Sequence, residues 1–147
     1  EALQHSLNVP AVAALESVGA RRFASTLGAA GAGLLMPADA DDEAGLAIAL
    51  GGAGMTVREL ALLYAALGDE GRARPLVWLQ EEVRRADPRR QPAVQVMSPA
   101  SAREIVSILA LAPAPDGRMP AQLTQNAPLV AFKTGTSYGF RDAWAAG

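Results

Sequence analysis

The chain has 147 residues, 50% of them hydrophobic and 19% charged, which is the composition of a folded domain and not of a disordered segment. Its formal net charge is −2, so the composition shows no excess of positive charge of the kind that binds nucleic acid. The sequence has no cysteine, which excludes a disulfide framework, a thiolate metal site and a cysteine nucleophile. It has a single histidine, which excludes an all-histidine metal site. It has no apolar run of roughly 18 residues, which excludes a membrane-spanning segment within these residues.

The first part of the chain is predicted to form helices joined by short glycine-rich turns. Asn8 is typical of a residue that caps a helix, and the helix after it is expected to end near Gly19. A second helix is expected over about residues 20–30, where Phe23 and Leu27 are four positions apart and share one face.

Two further helices have clear start signals. Thr56 to Glu59 form a capping box at the start of the third helix. The apolar face of this helix is predicted to contain Val57, Leu60, Ala61, Tyr64 and Leu67. Ser98 followed by Pro99 begins the other helix. Its buried stripe is predicted to contain Ala102, Ile105, Val106 and Leu109.

The segments around that last helix carry weaker signals. Residues 75–79 are short and apolar, which indicates a possible strand. Residues 84–90 are rich in arginine without interleaved aromatic residues, so we interpret them as a solvated loop. Residues 112–128 contain four of the ten prolines and are expected to be loop.

The end of the chain predicts a β-hairpin. Its strands are expected over residues 129–136 and 140–146, with a turn at residues 137–139. Trp144 on the second strand is predicted to belong to the core.

The segment Lys133 to Ser137 concentrates polar chemistry at the end of an apolar strand. Side chains alternate along a strand, so Thr134 and Thr136 share one face and Lys133 lies on the other. Gly135 has no side chain, which permits a close approach by another backbone or a ligand. Lysine, hydroxyls and strand-edge N–H groups together suit an acceptor-rich ligand, such as a carboxylate or a developing oxyanion. The alternative is an ordinary strand end with a surface lysine.

Ser6 and Asn8 form the second segment of interest. Taken alone, this triplet is explained by Asn8 as a helix cap and Ser6 as a loop residue. His5 beside Ser6 does not favour a serine–histidine hydrolase, because adjacent residues rarely face each other and no acid is placed to orient the histidine.

The two segments together resemble the serine penicillin-recognising enzymes, in which a Ser-x-Asn triplet is followed much later by Lys-Thr-Gly on a strand. The string of twelve residues from Lys133 to Trp144 is similar to the transpeptidase domain of class A, bifunctional penicillin-binding proteins. Segments 6–12, 47–52 and 56–67 agree with it, so the resemblance covers nearly all of the chain.

The resemblance implies a catalytic role for three residues. Ser6 is expected to relay a proton between the catalytic lysine of the family and the leaving amine. Asn8 is expected to donate from its side chain to the acyl-side amide of the substrate. Lys133 is expected to stay protonated, to hydrogen-bond toward Ser6 and to raise the positive potential of the cleft.

The resemblance also implies that Thr134, Gly135 and Thr136 form a substrate-binding strand. Thr134 and Thr136 are expected to bind the terminal carboxylate of a D-Ala-D-Ala stem peptide or of a β-lactam, and the Thr136 N–H to form half of an oxyanion hole. No metal or organic cofactor is implied. The partners implied are peptidoglycan stem peptides and β-lactams.

One family motif is absent from the sequence. The nucleophile motif is Ser-x-x-Lys, but Lys133 is the only lysine and Val130 stands three residues before it. We therefore expect residues 1–147 to be a partial transpeptidase domain that is inactive alone. The expected fold class is α+β, a piece of the β-lactamase/transpeptidase fold that is mostly helical with one C-terminal β-hairpin.

Several expectations about the parent protein come from the resemblance alone. It is expected to be a periplasmic D,D-transpeptidase anchored in the inner membrane, with a glycosyltransferase domain. The isolated chain is expected to self-associate through an unpaired strand edge and uncovered apolar surface. The alternatives are a serine β-lactamase or D,D-carboxypeptidase, and a non-catalytic penicillin-recognising sensor or scaffold.

Overall fold

The chain combines helices with two small antiparallel sheets. A computed structural model describes residues 1–36, 44–77, 79–81, 92–113, 123, 125–137 and 141–147. The α-helices whose full bounds lie within these ranges are α1 (Asn8–Val18), α2 (Ala20–Ala29), α3 (Val57–Gly68) and α4 (Pro99–Ala110), and Ala44–Leu50 form a 3₁₀ helix. The strands are β1 (Arg72–Ala73), β2 (Val94–Gln95), β3 (Lys133–Thr136) and β4 (Ala143–Ala146). This mixture agrees with the class predicted from the sequence.

Helices α1 and α2 lie where the sequence predicts them, but the predicted cap of α1 is wrong. Leu7 is the N-cap, with an extended backbone and no side-chain cap bond, and Asn8 is the first helical residue. The helix ends at Gly19, whose φ of 85° suits a glycine and whose N–H donates to the Leu15 carbonyl. In α2 the expected apolar pair is partly confirmed, because Leu27 is buried and Phe23 is half-buried.

The capping box at the start of α3 is confirmed. The Thr56 side chain accepts from the Glu59 N–H, and the Glu59 carboxylate accepts from the Thr56 N–H at 2.8 Å. The Thr56 hydroxyl also donates to the Glu59 carboxylate at 2.6 Å. This bond, together with the one from the Thr56 N–H, holds the pKa of the Glu59 carboxyl below its ordinary value.

The predicted apolar face of α3 is only partly correct. The buried residues are Leu62 and Ala66, whereas Val57 is 67% exposed. Tyr64, predicted as core, is half-buried, and burial raises the pKa of its phenol. The helix is rotated relative to the sequence prediction because Leu62 and Ala66 pack against alanines outside α3, in the turn after α2 and in β1.

Helix α4 agrees with its prediction. The Ser98 side chain accepts from the Ser101 N–H at 3.1 Å, and Pro99 occupies the first turn. Ala102 and Leu109 are buried at 0% and 3% exposure, so the predicted stripe does face the interior. Helix α4 packs against α3.

The first sheet was not predicted. Strand β1 pairs with β2 through Arg72 opposite Gln95 and Ala73 opposite Val94. Residues 75–77 are not in a strand, so the strand predicted over 75–79 is wrong there. The predicted arginine-rich loop at 84–90 lies outside the described residues.

The C-terminal hairpin is confirmed, but its strands are shorter than predicted. Strands β3 and β4 pair antiparallel over four residues each, with Lys133 opposite Ala146 and Thr136 opposite Ala143. Residues 129–132, expected in the first strand, are outside β3, and most of the predicted turn lies outside the described residues. Of the predicted loop at 112–128, the described residues belong to no strand and no α-helix.

The core of the described residues is small and built mainly from alanine. One cluster contains Ala30, Ala32, Leu62, Ala66 and Ala73. Many larger apolar side chains stay exposed, and Trp144, predicted as core, is 37% exposed. Among the described helices, none is both long enough and apolar enough to cross a membrane.

Candidate functional site

Ser6 and Lys133 are 127 positions apart in the sequence and come together in the structure. The Lys133 Nζ donates to the Ser6 Oγ and also to the carbonyl oxygen of Thr134. Lysine has three ammonium donors, so one remains for a ligand. The fold therefore places Ser6 beside Lys133, the cation at the start of β3.

Ser6 is held in an unusual backbone conformation by the turn that contains it. Its φ is 54°, in the left-handed region that non-glycine residues rarely adopt. The Ser6 N–H donates to the Leu3 carbonyl at 3.3 Å, and the Leu7 N–H donates to the Ala2 carbonyl at 3.0 Å. This turn directs the Ser6 hydroxyl toward β3 immediately before α1 begins.

The Gln4 side chain ties the same turn to α4. Its Nε2 donates at 2.9 Å to the carbonyl of Ile108 in the last turn of α4, which also accepts from the Leu111 N–H at 3.3 Å. The position of Ser6 is thus coupled to the end of α4 through one side chain two residues away.

The register of the hairpin determines which backbone groups of β3 are free. The Ser137 N–H donates to the Asp142 carbonyl at 3.0 Å, so these two residues form a hydrogen-bonded pair. Hydrogen-bonded pairs alternate with non-hydrogen-bonded pairs in an antiparallel ladder, so Thr136 and Thr134 direct their N–H and C=O groups away from β4. Among the described residues no strand pairs with that outer edge of β3.

The threonine side chains and the free backbone groups of β3 therefore lie close together. Thr134 and Thr136 are exposed and lie on the same face of the strand, and Gly135 between them has no atom within 4 Å of where a Cβ would be. The Lys133 bond to the Thr134 carbonyl agrees with the edge assignment. The edge presents N–H donors beside hydroxyls and an ammonium group, which is a site for an anionic or strongly polarised oxygen.

Asn8 lies two residues after Ser6, at the exposed start of α1. Its side chain caps no helix, so the structural explanation of this asparagine as a cap does not hold. Within the described ranges, no hydrogen bond joins Asn8 to Ser6 or Lys133. The Ser6 hydroxyl bonds to Lys133 and not to the neighbouring His5.

A metal site is not part of this arrangement as far as the structure describes it. No three His, Asp or Glu side chains in the described ranges lie close enough together to hold a metal ion. The Lys133 ammonium group and the N–H groups at the edge of β3 are donors, which suit anions rather than cations.

Two features of the site were not predicted as functional from the sequence. Gln4 has no local signal, because its partner Ile108 is 104 positions away. Ser137 belongs to the polar segment noticed in the sequence, but its bonds to Asp142 depend on the hairpin register.

Comparison with known proteins gives two matches that cover the chain. Residues 1–144 match the family described as the penicillin binding protein transpeptidase domain. Penicillin-binding protein 1C of Escherichia coli (strain K12) is 41% identical over 149 aligned residues, which cover 100% of this chain and 18% of that protein. The chain thus spans less than a fifth of the length of this relative.

Proposed function

Because the chain belongs to the penicillin-binding protein transpeptidase family, we propose that it supplies two of the three sequence motifs that form the active site of a peptidoglycan D,D-transpeptidase. The resemblance inferred from Ser6, Asn8 and the Lys133 segment is thereby confirmed at the level of the family. A role in peptidoglycan synthesis fits this membership.

The observation that carries the proposal is the hydrogen bond from Lys133 to Ser6 beside the free edge of β3. This contact joins the Ser-x-Asn and Lys-Thr-Gly motifs into one site, as their joint use on one substrate requires. In the reaction, a serine attacks the penultimate D-Ala carbonyl, D-Ala leaves, and the amine of a neighbouring stem peptide takes the acyl group.

Each residue of the site has a distinct task in this proposal. Ser6 relays a proton from the lysine of the family's Ser-x-x-Lys motif to the leaving amine, and Lys133 orients the Ser6 hydroxyl and adds positive potential. Asn8, with its side chain unused as a cap, donates to the acyl-side amide of the substrate. The hydroxyls of Thr134 and Thr136 bind the terminal carboxylate of the substrate.

The backbone of β3 stabilises the negative charge that develops during acylation. The Thr136 N–H, which the register directs away from β4, supplies one donor of the oxyanion hole. Gly135 presents no side chain on the face that it shares with Lys133, which leaves that face open to a close approach by the substrate.

The nucleophile is proposed to lie outside residues 1–147, since the sequence contains no Ser-x-x-Lys. These residues then form a partial domain of the β-lactamase/transpeptidase fold. We further infer that the whole protein works in the periplasm from a membrane anchor and carries a glycosyltransferase domain; this inference rests on the class A resemblance.

Labelling with a fluorescent penicillin tests the proposal. We expect the full-length protein to be labelled and a polypeptide of residues 1–147 to stay unlabelled on a denaturing gel. Mass spectrometry of the labelled protein is expected to locate the adduct on a serine of a Ser-x-x-Lys motif. Failure to label either protein would favour a sensor or scaffold, and label on the short polypeptide would place a nucleophile among these residues and refute the proposal.

Self-association of the isolated chain is a second expected consequence. The outer edge of β3 has no partner among the described strands, and Leu129 and Val130 just before it are 65% and 44% exposed. Light scattering of the 147-residue polypeptide is expected to show an apparent mass that rises with concentration. Val130→Lys should reduce this rise, while Glu16→Lys on the exposed face of α1 should not. A constant monomeric mass would contradict the expectation.

A further inference from the structure

The hairpin departs from a regular ladder at the pair that follows β3. The Ser137 N–H donates to the Asp142 carbonyl at 3.0 Å, as a hydrogen-bonded pair requires. The reciprocal bond differs, because the Asp142 N–H donates at 2.9 Å to the Ser137 Oγ instead of the Ser137 carbonyl. A side-chain hydroxyl thus closes the ladder at the end of the substrate-binding strand.

The Ser137 hydroxyl is fixed in orientation by this arrangement. Its oxygen accepts from the Asp142 N–H, and its hydrogen points toward the Asp142 carboxylate, with 3.5 Å between Ser137 Oγ and Asp142 Oδ2. The second contact is long for an O–H···O bond, so the backbone bond is the stronger tie.

The backbone of Ser137 lies close to a segment that is distant in sequence. Gly51, which follows the 3₁₀ helix, has a φ of 88°, and a Cβ on it would lie 3.9 Å from the Ser137 Cα. Gly51 and Ser137, which are distant in sequence, therefore lie near each other where β3 ends.

We propose that Ser137 is a positioning residue, which through its bonds to Asp142 fixes the direction of the Thr136 N–H and hydroxyl at the substrate edge. This role rests on the proposed transpeptidase function. It follows from the shortness of β3, because a strand of four residues has few other ladder bonds to hold its last residue in place.

Ser137 acts through Thr136 and not on the substrate itself. Its own N–H faces β4, whereas the N–H of Thr136 faces the open edge. Donors of an oxyanion hole are effective only when they are held in place before charge develops, and small displacements lower the rate steeply. Loss of the Ser137 tie should therefore slow acylation more than it weakens initial binding.

The test compares Ser137→Ala and Ser137→Thr in the full-length protein, with the kinetics of acylation by penicillin resolved into initial binding and the acylation step. We expect Ser137→Ala to slow the acylation step about tenfold with less than a threefold change in initial binding. Ser137→Thr keeps the hydroxyl, so its acylation rate is expected to match that of the unsubstituted protein. Ser17→Ala, which removes a hydroxyl bonded only within α1, is the matched control and should leave the rate unchanged.

Asp142→Ala separates the two contacts of the pair. This variant keeps the bonds that the Asp142 N–H and carbonyl form with Ser137 and removes only the long carboxylate contact, so its acylation rate is expected to fall less than threefold. Thermal unfolding of every variant distinguishes positioning from general loss of structure.

Three results would overturn the proposal. An unchanged acylation rate in Ser137→Ala would show that the hydroxyl does not position Thr136. Equal losses in Ser137→Ala and Ser137→Thr, with equal drops in melting temperature, would indicate a merely structural role. Absence of acylation in the unsubstituted protein would instead refute the proposed function, and this role with it.

Discussion

Lys133→Met in the full-length protein is expected to lower the second-order rate of acylation by penicillin at least about a hundredfold, the scale of losing one preorganised electrostatic contact in an active site. Methionine has a similar length but no charge and no N–H donor. The variant therefore loses the bond to Ser6, the bond to the Thr134 carbonyl and the positive potential together. The rate is measured from the time course of fluorescent-penicillin labelling.

Arg103→Met is the matched control for this charge removal. Arg103 is exposed on α4 and forms a surface ion pair with Glu70 at 2.9 Å, and such pairs contribute little to stability. We expect its acylation rate to stay within twofold of the unsubstituted protein. If both variants lost activity equally, net charge rather than the Lys133 contact would be responsible, and the proposed role of Lys133 would be rejected.

A double-mutant cycle tests whether Lys133 and Ser6 act as a unit. Groups that share one hydrogen bond give strongly non-additive losses, so Ser6→Ala added to Lys133→Met should cost little beyond the larger single effect. Fully additive losses would mean that the two residues contribute independently, which the hydrogen bond between them argues against.

Local signals predicted the helices well, because their causes lie within a few residues. The capping box at Thr56 and the Ser98–Pro99 start both depend on contacts over three positions, and both are present as expected. Asn8 is the exception. A good capping residue became the first helical residue because the turn that holds Ser6 places Leu7 at the boundary.

Predictions that depended on distant contacts were less accurate. The buried face of α3 is set by packing against Ala32 and Ala73, which helical periodicity alone does not contain. Strand β1 has only two residues and exists because β2, more than twenty positions later, pairs with it. Trp144 looked like a core residue from its type, yet it lies on a hairpin that is exposed in the described residues.

The candidate site was predicted from motifs, and physical reasoning alone would have left it open. The chemistry of Lys133 to Thr136 indicated an anion site on a strand end, but nothing in the local sequence brings Ser6 there. Pairing the two segments required the family resemblance. Gln4 was not noticed, and Ser137 was noticed only as a member of the polar segment, because a glutamine or serine gains its specific role from a partner that the fold supplies.

Gly71→Ala is expected to destabilise the protein by about 2–4 kcal/mol, the combined cost of a left-handed alanine and of overpacking. Gly71 follows α3 with a φ of 80°, and its N–H donates to the Ala66 carbonyl at 2.7 Å. A Cβ there would lie 2.4 Å from the Met97 carbonyl oxygen, a backbone atom that cannot rotate away. The substitution therefore forces apart the two segments that β1 and β2 join.

Gly28→Ala provides a control of opposite sign. Gly28 lies inside α2 with nothing within 4 Å of its missing Cβ, so alanine should stabilise the helix by roughly 0.5–1 kcal/mol. Both free energies of unfolding are measured by denaturant titration of the full-length protein. The transition analysed is the unfolding transition whose midpoint changes when penicillin is bound. If Gly71→Ala were as stable as the unsubstituted protein, the close approach of the α3–β1 turn to Met97 would be wrong, and with it the packing that sets the buried face of α3.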